Sequence, residues 1–469
     1  MPWFKVWLFS AIMNGLTTAY VDACARQLGA KRFRLQLPWE QPPLEDVVSK
    51  RSSPVIPRPD WVDFPMQLFD PVAAVAKPTK LDRFNAKVHL SEVSWVAAES
   101  RQHNLALQCW KVIVLDSTCH TGLGRLLMTC IEQGKSDDYI WQVVADSFSC
   151  KSTSTLRSRA ASLLAFGRWR KATFLGESGG VFPISEELAY DYLCDLRRLH
   201  SAPSKGKRFL EAMGFAKGML SADVSEVLSS ARVRGVASGV DPAPPKKKCP
   251  FTVEQLIQLE RLAFYGQGQE SIFAGYICFL VHARLRWSDG QHCIQEPELD
   301  LNDGRGFIEA ALYHHKTSRK RRTNVVRLLP VVGVLPGLSG LNWAAEWLKK
   351  RKQLGLRASM TQPTMPAPLA GGGWSLQPLS ASEASTWLRE LLQAWNPVSL
   401  TDVATHSAKA TILSWMSKAN VSLKLRRLAG YHITPGDKSA LEYSRDAAAP
   451  ILRQIEAILI SIRGGFFRP

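Results

Sequence analysis

Leu428-Ala429-Gly430-Tyr431-His432 and, a little further on, Ser439-Ala440-Leu441-Glu442-Tyr443-Ser444-Arg445 end an ordered series of polar residues in the second half of this chain. Upstream of them, His406 and Lys409 form a His-x-x-Lys pair in His406-Ser407-Ala408-Lys409. Further upstream lie Lys316, in His314-His315-Lys316-Thr317, and Arg286, in Leu285-Arg286-Trp287-Ser288-Asp289. The series is arginine, lysine, histidine with lysine, histidine, and then a tyrosine eleven positions after His432.

These residue types suit attack on a phosphodiester without a metal. Such a reaction needs an in-line nucleophile, cations that neutralise the pentacoordinate transition state, and an acid for the leaving oxygen. A tyrosine can attack and conserve the bond energy as a phosphotyrosine ester, which makes Tyr443 the candidate nucleophile. Taken alone it is an ordinary core or surface tyrosine; its place after His406 and His432 is what singles it out. Arg286 ends an apolar helix, where an unpaired guanidinium is costly to bury, and its fork suits two phosphate oxygens. Asp289 can orient it, or simply close a helix-terminal ion pair; Arg284 competes locally for the phosphate. Lys316 sits in a polar turn with Arg319, Lys320, Arg321 and Arg322, where it can serve as the acid or as part of a backbone clamp. His406 and Lys409 are three apart on one helix and so share a face. His432 follows Gly430, which ends the preceding helix.

Composition agrees with a polyanionic partner. The chain has 469 residues, a hydrophobic fraction of 46% and a formal net charge of +18. That length allows two or three domains, and the apolar content can fill a core. Nucleic acid and an anionic membrane surface both fit the charge. The nine cysteines show no C-x-x-C pair, which argues against a disulfide scaffold or a zinc site. Scattered, reduced thiols suit a nuclear or cytosolic compartment. The opening MPWFKVWLFSAIMNGL reads as a weak signal peptide or a buried helix, and its apolar run is too short to span a membrane.

Four regions are expected. Residues 1–90 form a proline-rich extension to which no chemistry attaches. Residues 91–238 are helical, with Ser185 as an N-cap and basic residues interleaved at Arg157, Arg159, Arg168, Arg170, Lys205, Lys207 and Arg208. Residues 239–250 are a basic linker carrying Lys246, Lys247 and Lys248; the wider stretch 235–250 is too rich in Gly, Pro and Lys to pack. Residues 251–469 open with a Thr252 cap and an apolar helix over about 271–285. Two strands follow, Gly306–Tyr313 and Thr323–Leu329, then a helix over 341–353 and a loop over 356–380. A capping box at Ser380/Glu383 opens helix 381–395, and further helices cover 401–418, 421–429, about 437–445 and 450–462. The fold class is mainly α with a small antiparallel β-sheet.

Read together, Arg286 with Asp289, Lys316, His406 with Lys409, His432 and Tyr443 resemble the catalytic pattern of the tyrosine recombinase (phage-integrase) family. The likeness spans residues 95–463 and is most similar to recombinases of eukaryotic mobile elements. It implies a helical core-binding (SAM-like) domain followed by a tyrosine recombinase catalytic domain, clamping double-stranded DNA. It also implies a site-specific recombinase or integrase, working as a homo-tetramer on paired sites through a 3′-phosphotyrosine. It brings no metal, no cofactor and no membrane, and a nuclear location in a eukaryote or a cytoplasmic one otherwise. The chain departs from the pattern twice. The family's second arginine is Lys409, which keeps the charge but lacks the bidentate fork. The family's Leu-Gly-His box is stretched to Leu428-Ala-Gly-Tyr-His432. A decayed or domesticated fold that binds DNA without cutting it is therefore the alternative. A relaxing topoisomerase is disfavoured by the separate helical region and by a tail beyond Tyr443 free to dock on a neighbour.

Overall fold

Thr252 decides where the second half of the fold begins. Its hydroxyl accepts from the Gln255 amide at 3.2 Å while the Gln255 side chain accepts from the Thr252 amide at 3.0 Å, a reciprocal cap that satisfies two orphan donors. The helix it opens packs on Gly268–His282, which is buried on every side from Ser271 to His282 and forms the centre of the core. Gly275 permits the closest approach there, because a Cβ would overlap the indole of Trp347. The Trp347 indole N–H donates to the Ile272 carbonyl at 3.0 Å.

The computed structural model describes residues 93–174, 180–239, 248–302, 304–313, 328–369, 372–395, 402–431 and 445–469, all within one unit, Asp70–Pro469. The first helices are α1 Trp95–Leu115, α2 Gly122–Glu132, α3 Asp137–Phe148, α4 Thr153–Thr173, α5 Glu186–Arg198, α6 Ser204–Leu220, α7 Ser225–Ser229 and α8 Ala231–Ser238. Then come α9 Val253–Tyr265, α10 Gly268–His282, α11 Trp287–Gly290, β1 Glu298–Asn302, β2 Arg305–Leu312, β3 Leu329–Leu335 and α12 Trp343–Gln353. The chain ends with β4 Pro366–Pro368, β5 Trp374–Pro378, α13 Ala381–Trp395, α14 Thr405–Lys418, α15 Leu423–Ala429 and α16 Arg445–Arg463. The fold is mainly α, with an antiparallel sheet ordered β1-β2-β3 and a separate β4-β5 pair.

Helices α1–α8 carry their own apolar contacts, with Trp110, Phe148, Phe166 and Phe209 all buried. The larger core takes its residues from Phe251 to Ile462. The two groups touch where Trp95 stacks on His292 at 4.6 Å and the Gln377 amide donates to the Val93 carbonyl at 2.5 Å. Ser185 caps α5 through the Leu188 amide, and Ser380 with Glu383 caps α13, as their sequences predict.

Several expectations change. The composition of 235–250 predicts a stretch that does not pack, yet α8 runs to Ser238 with Val233 and Ala237 buried. Gly206 makes this possible, since a Cβ there would crowd Ala237. The second strand lies later than expected, over Leu329–Leu335; residues 323–327 fall outside the described ones. Its Val331–Leu335 run is buried on both faces, so it lacks the alternation that marks a half-buried strand, and Pro330 is tolerated because β3 is an edge. The loop 356–380 contains β4 and β5, and β1 also went unforeseen. The expected helix over 271–285 stops at His282. The tail beyond Tyr443 packs on its own domain: α16 buries Ile451, Leu452, Ile455, Leu459 and Ile462 and lies against β3, α14 and α15.

Candidate active site

The site is built on the break after α10. Ala283 closes that helix, and Arg284 turns the backbone left-handed at φ 53°. Leu285 then plugs into the core, and Arg286 becomes the N-cap of α11. The turn redirects the chain so that α11 rests on α14, the helix that begins at Thr405. Residues separated by more than a hundred positions in sequence, Arg286 and the His406–Lys409 segment, thus lie on two elements in contact.

Arg286 is partly exposed, at 28% of its side chain, and its guanidinium donates to the Asp289 carboxylate at 3.1 Å. One edge of the fork is held by that carboxylate. Arg284, the local competitor, is removed from contention by its burial. Its Nε donates to the Ala429 carbonyl at 2.9 Å, and its terminal nitrogens donate to the carbonyls of His282 at 2.7 Å and Val332 at 3.1 Å. It also donates to the Tyr431 hydroxyl at 3.2 Å.

His406 and Lys409 part company. His406 is exposed near the start of α14, while Lys409 is buried, at 6% exposure. The Lys409 ammonium donates to the Gly430 carbonyl at 2.8 Å and lies 6.0 Å from the centre of the Tyr431 ring. The two lie three residues apart on one helix, but α15 ends beside α14 and presents the Gly430 carbonyl that draws the Lys409 ammonium inward while His406 stays exposed. Arg426 donates to the Val421 carbonyl at 3.1 Å and the Ser417 hydroxyl at 2.8 Å, beside the C-terminal end of α14, so it is not a substitute for a guanidinium near His406. Arg427 is exposed.

Sequence reading missed Tyr431. It appeared only as an extra residue stretching the box, but its backbone is left-handed, at φ 58°, and its hydroxyl donates to the Ala283 carbonyl at 2.8 Å. A positive φ on a bulky residue leaves no mark in a single sequence. Lys316, Arg319, Arg321, Arg322, His432, Tyr443, Lys246 and Lys247 lie outside the described residues. Tyr313, three residues before Lys316 in sequence, is pushed up to about 12 by burial, and its hydroxyl donates to the Met360 carbonyl at 3.1 Å.

The helical region divides the remaining basic candidates. Arg157, Arg168, Lys205, Lys207 and Arg208 are exposed. Arg159 is paired with Glu211 at 2.5 Å, and Arg170 donates to the carbonyls of Gly180 and Pro183 at 3.3 and 3.1 Å, so these two are tied to the fold. Lys248 is partly exposed where the linker meets α14: the Cys249 amide donates to the Asp402 carbonyl and the Phe251 amide to the Thr411 hydroxyl, both at 2.9 Å. Among the described residues no group of three His, Cys, Asp or Glu side chains is placed to hold a metal ion. No helix among them is long and apolar enough to cross a membrane.

No protein-family model matches the chain, and no curated protein is similar to it. Solved structures similar in fold include the XerH site-specific recombinase bound to difH substrate in a pre-cleavage complex, at 11% identity and a TM-score of 0.41, covering 80% of this chain and 96% of that one. A lambda integrase dimer bound to a core site matches at 12% identity and a TM-score of 0.34, covering 69% and 94%. The Tn1549 transposon integrase bound to circular-intermediate DNA matches at 13% identity and a TM-score of 0.32, covering 63% and 98%.

Proposed function

We propose that this protein is a DNA strand-exchange enzyme of the tyrosine recombinase kind, acting on double-stranded DNA. The observation that carries the reading is Arg286: a partly exposed guanidinium, steadied by Asp289, on an element that packs against the helix bearing an exposed His406. The basic residues exposed on α4 and α6 add a phosphate-tracking surface. In the proposed reaction the Tyr443 oxygen attacks the scissile phosphorus and gives up its proton. The bond from phosphorus to the 5′ oxygen breaks, Lys316 protonates that oxygen, and a 3′-phosphotyrosine is left. Arg286 and His432 stabilise the pentacoordinate charge, and His406 assists proton transfer or positions the phosphate. A 5′ hydroxyl from a partner strand reverses the step. The assembly is a homo-tetramer on paired sites, serving integration or transposition of a mobile element, in the nucleus if the host is a eukaryote. Residues 91–238 are the core-binding domain and 251–469 the catalytic domain.

A second reading has its own support. The Lys409 ammonium is engaged by the Gly430 carbonyl, away from solvent. That favours a recombinase fold that holds DNA without cutting it. One assay separates the two. The full chain is mixed with randomised nicked duplexes in EDTA, and DNA that stays attached through SDS is recovered, with Tyr443→Phe alongside. The enzyme reading expects an adduct that Tyr443→Phe abolishes while binding persists. Equal adduct from that variant refutes the role of Tyr443; salt-sensitive binding with no adduct supports the binding module.

A further inference from the structure

Two buried cations converge on one turn. Arg284 reaches the Ala429 carbonyl and the Tyr431 hydroxyl, and Lys409 reaches the Gly430 carbonyl between them. The Tyr431 ring lies 5.6 Å from the Arg284 guanidinium and 6.0 Å from the Lys409 ammonium. Tyr431 returns the contact by donating to the Ala283 carbonyl. Both turns joined in this way are left-handed, at Arg284 and at Tyr431. Arg286 is two residues beyond the first of them, and His432 immediately follows the second.

We propose that the buried Arg284 and Lys409 and the partly buried Tyr431 form a clamp that fixes the turn before Arg286 and the turn at Tyr431 in one frame. In this clamp Lys409 is a positioning residue that acts through Gly430, not a direct ligand of the phosphate. The inference rests on the phosphate-site reading above. Its physical basis is the direction and burial of the ammonium. Moving Lys409 out to a phosphate means giving up a 2.8 Å charge-assisted bond and stranding the buried Gly430 carbonyl. A phosphate in solvent-side contact with His406 does not require that movement. The bonds also join three separate elements, since Arg284 holds the Val332 carbonyl of β3 as well as the two turns. Such a clamp does for Arg286 what well-packed supporting residues do for any preorganised site.

The test uses the full chain and a random-sequence duplex. Each direct phosphate contact contributes about 0.9 to the slope of log affinity against log salt. Lys409→Met is expected to keep the wild-type slope; a slope smaller by about 0.9 overturns the positioning role. Hydrogen exchange of the free protein tests the coupling without any cleavage. Tyr431→Phe removes a hydroxyl that accepts from Arg284 and donates to the Ala283 carbonyl, and exchange is expected to rise about tenfold or more at both the Leu285 and Tyr431 amides, the scale of two lost hydrogen bonds. Those amides are bonded to the Leu280 and Leu428 carbonyls respectively, so each reports its own turn. Faster exchange at one turn alone, or at neither, overturns the clamp. Where wild type forms the covalent adduct, Lys409→Met is expected to slow single-turnover attachment about 100-fold at saturating DNA, and an unchanged rate overturns the positioning role. If wild type forms no adduct, the recombinase reading fails, and the exchange result still decides the clamp.

Discussion

Replacing Arg284 tests whether the turn that aims Arg286 is held by a buried cation. Arg284→Ala removes the donor to three backbone carbonyls, those of His282, Val332 and Ala429, and to the Tyr431 hydroxyl. A stranded buried acceptor costs about 1–3 kcal/mol, so three carbonyls give about 3–9 kcal/mol. Removing the guanidinium also returns its own desolvation cost, several kcal/mol for a buried ion, which brings the net loss to the lower end, about 3 kcal/mol. The backbone adds a second signature. At φ 53° any side chain with a Cβ is strained by about 1–2 kcal/mol, and glycine is not. Arg284→Gly is therefore expected to lose about 1 kcal/mol less than Arg284→Ala, although glycine leaves the larger void. Equilibrium urea unfolding followed by tryptophan fluorescence reads both, at matched slopes. A loss below about 1 kcal/mol for alanine would show that the carbonyls have other donors. Glycine less stable than alanine would refute the strained-turn argument.

Two further outcomes follow from the core. Gly275→Ala places a methyl group inside the Trp347 indole, and overpacking of this kind is expected to cost about 1–3 kcal/mol in urea unfolding; no change would mean that α10 and α12 do not pack as described. Burial raises Tyr192 to about 12, like Tyr313, and holds Tyr276 well above its ordinary value. Because the native state keeps these protons longer than the unfolded chain, their stabilisation is complete below pH 10 and is lost as pH rises from 10 towards 12. Phenolate absorbance should then show a late-titrating set that appears together with unfolding; early, reversible ionisation of all tyrosines would contradict their burial.

The parts of the fold visible in sequence are those set by local rules. Thr252, Ser185 and Ser380 each announced a helix start because an N-cap needs only a side-chain oxygen a few residues from a free amide. The start of α13 follows from the Ser380/Glu383 capping box, and α12 falls within the expected 341–353. Where the outcome depended on distant partners, local pattern misled. Pro366 and Pro368 fall in the stretch 356–380 expected as a loop, yet they sit buried in β4, paired with β5. Gly235 read as linker, yet α8 continues through it because Gly206, on another helix, leaves room for Ala237.

The site divides along the same line. Residue types and order nominate Arg286, and its contact with Asp289 spans three residues, within reach of sequence reasoning. The direction of Lys409 was not. Spacing along α14 put it on one face with His406, but the acceptor that turns it inward is Gly430, on a different element. Arg284 shows the same dependence in reverse: beside Arg286 in sequence and equal in charge, it is set apart by partners up to 147 residues away. A row of cations in a sequence therefore does not distinguish a phosphate ligand from a clamp, because the difference lies in which buried carbonyls the rest of the chain presents. A guanidinium is favoured where two phosphate oxygens must be gripped, whereas the bond from Lys409 to the Gly430 carbonyl at 2.8 Å uses one N–H of a compact ammonium.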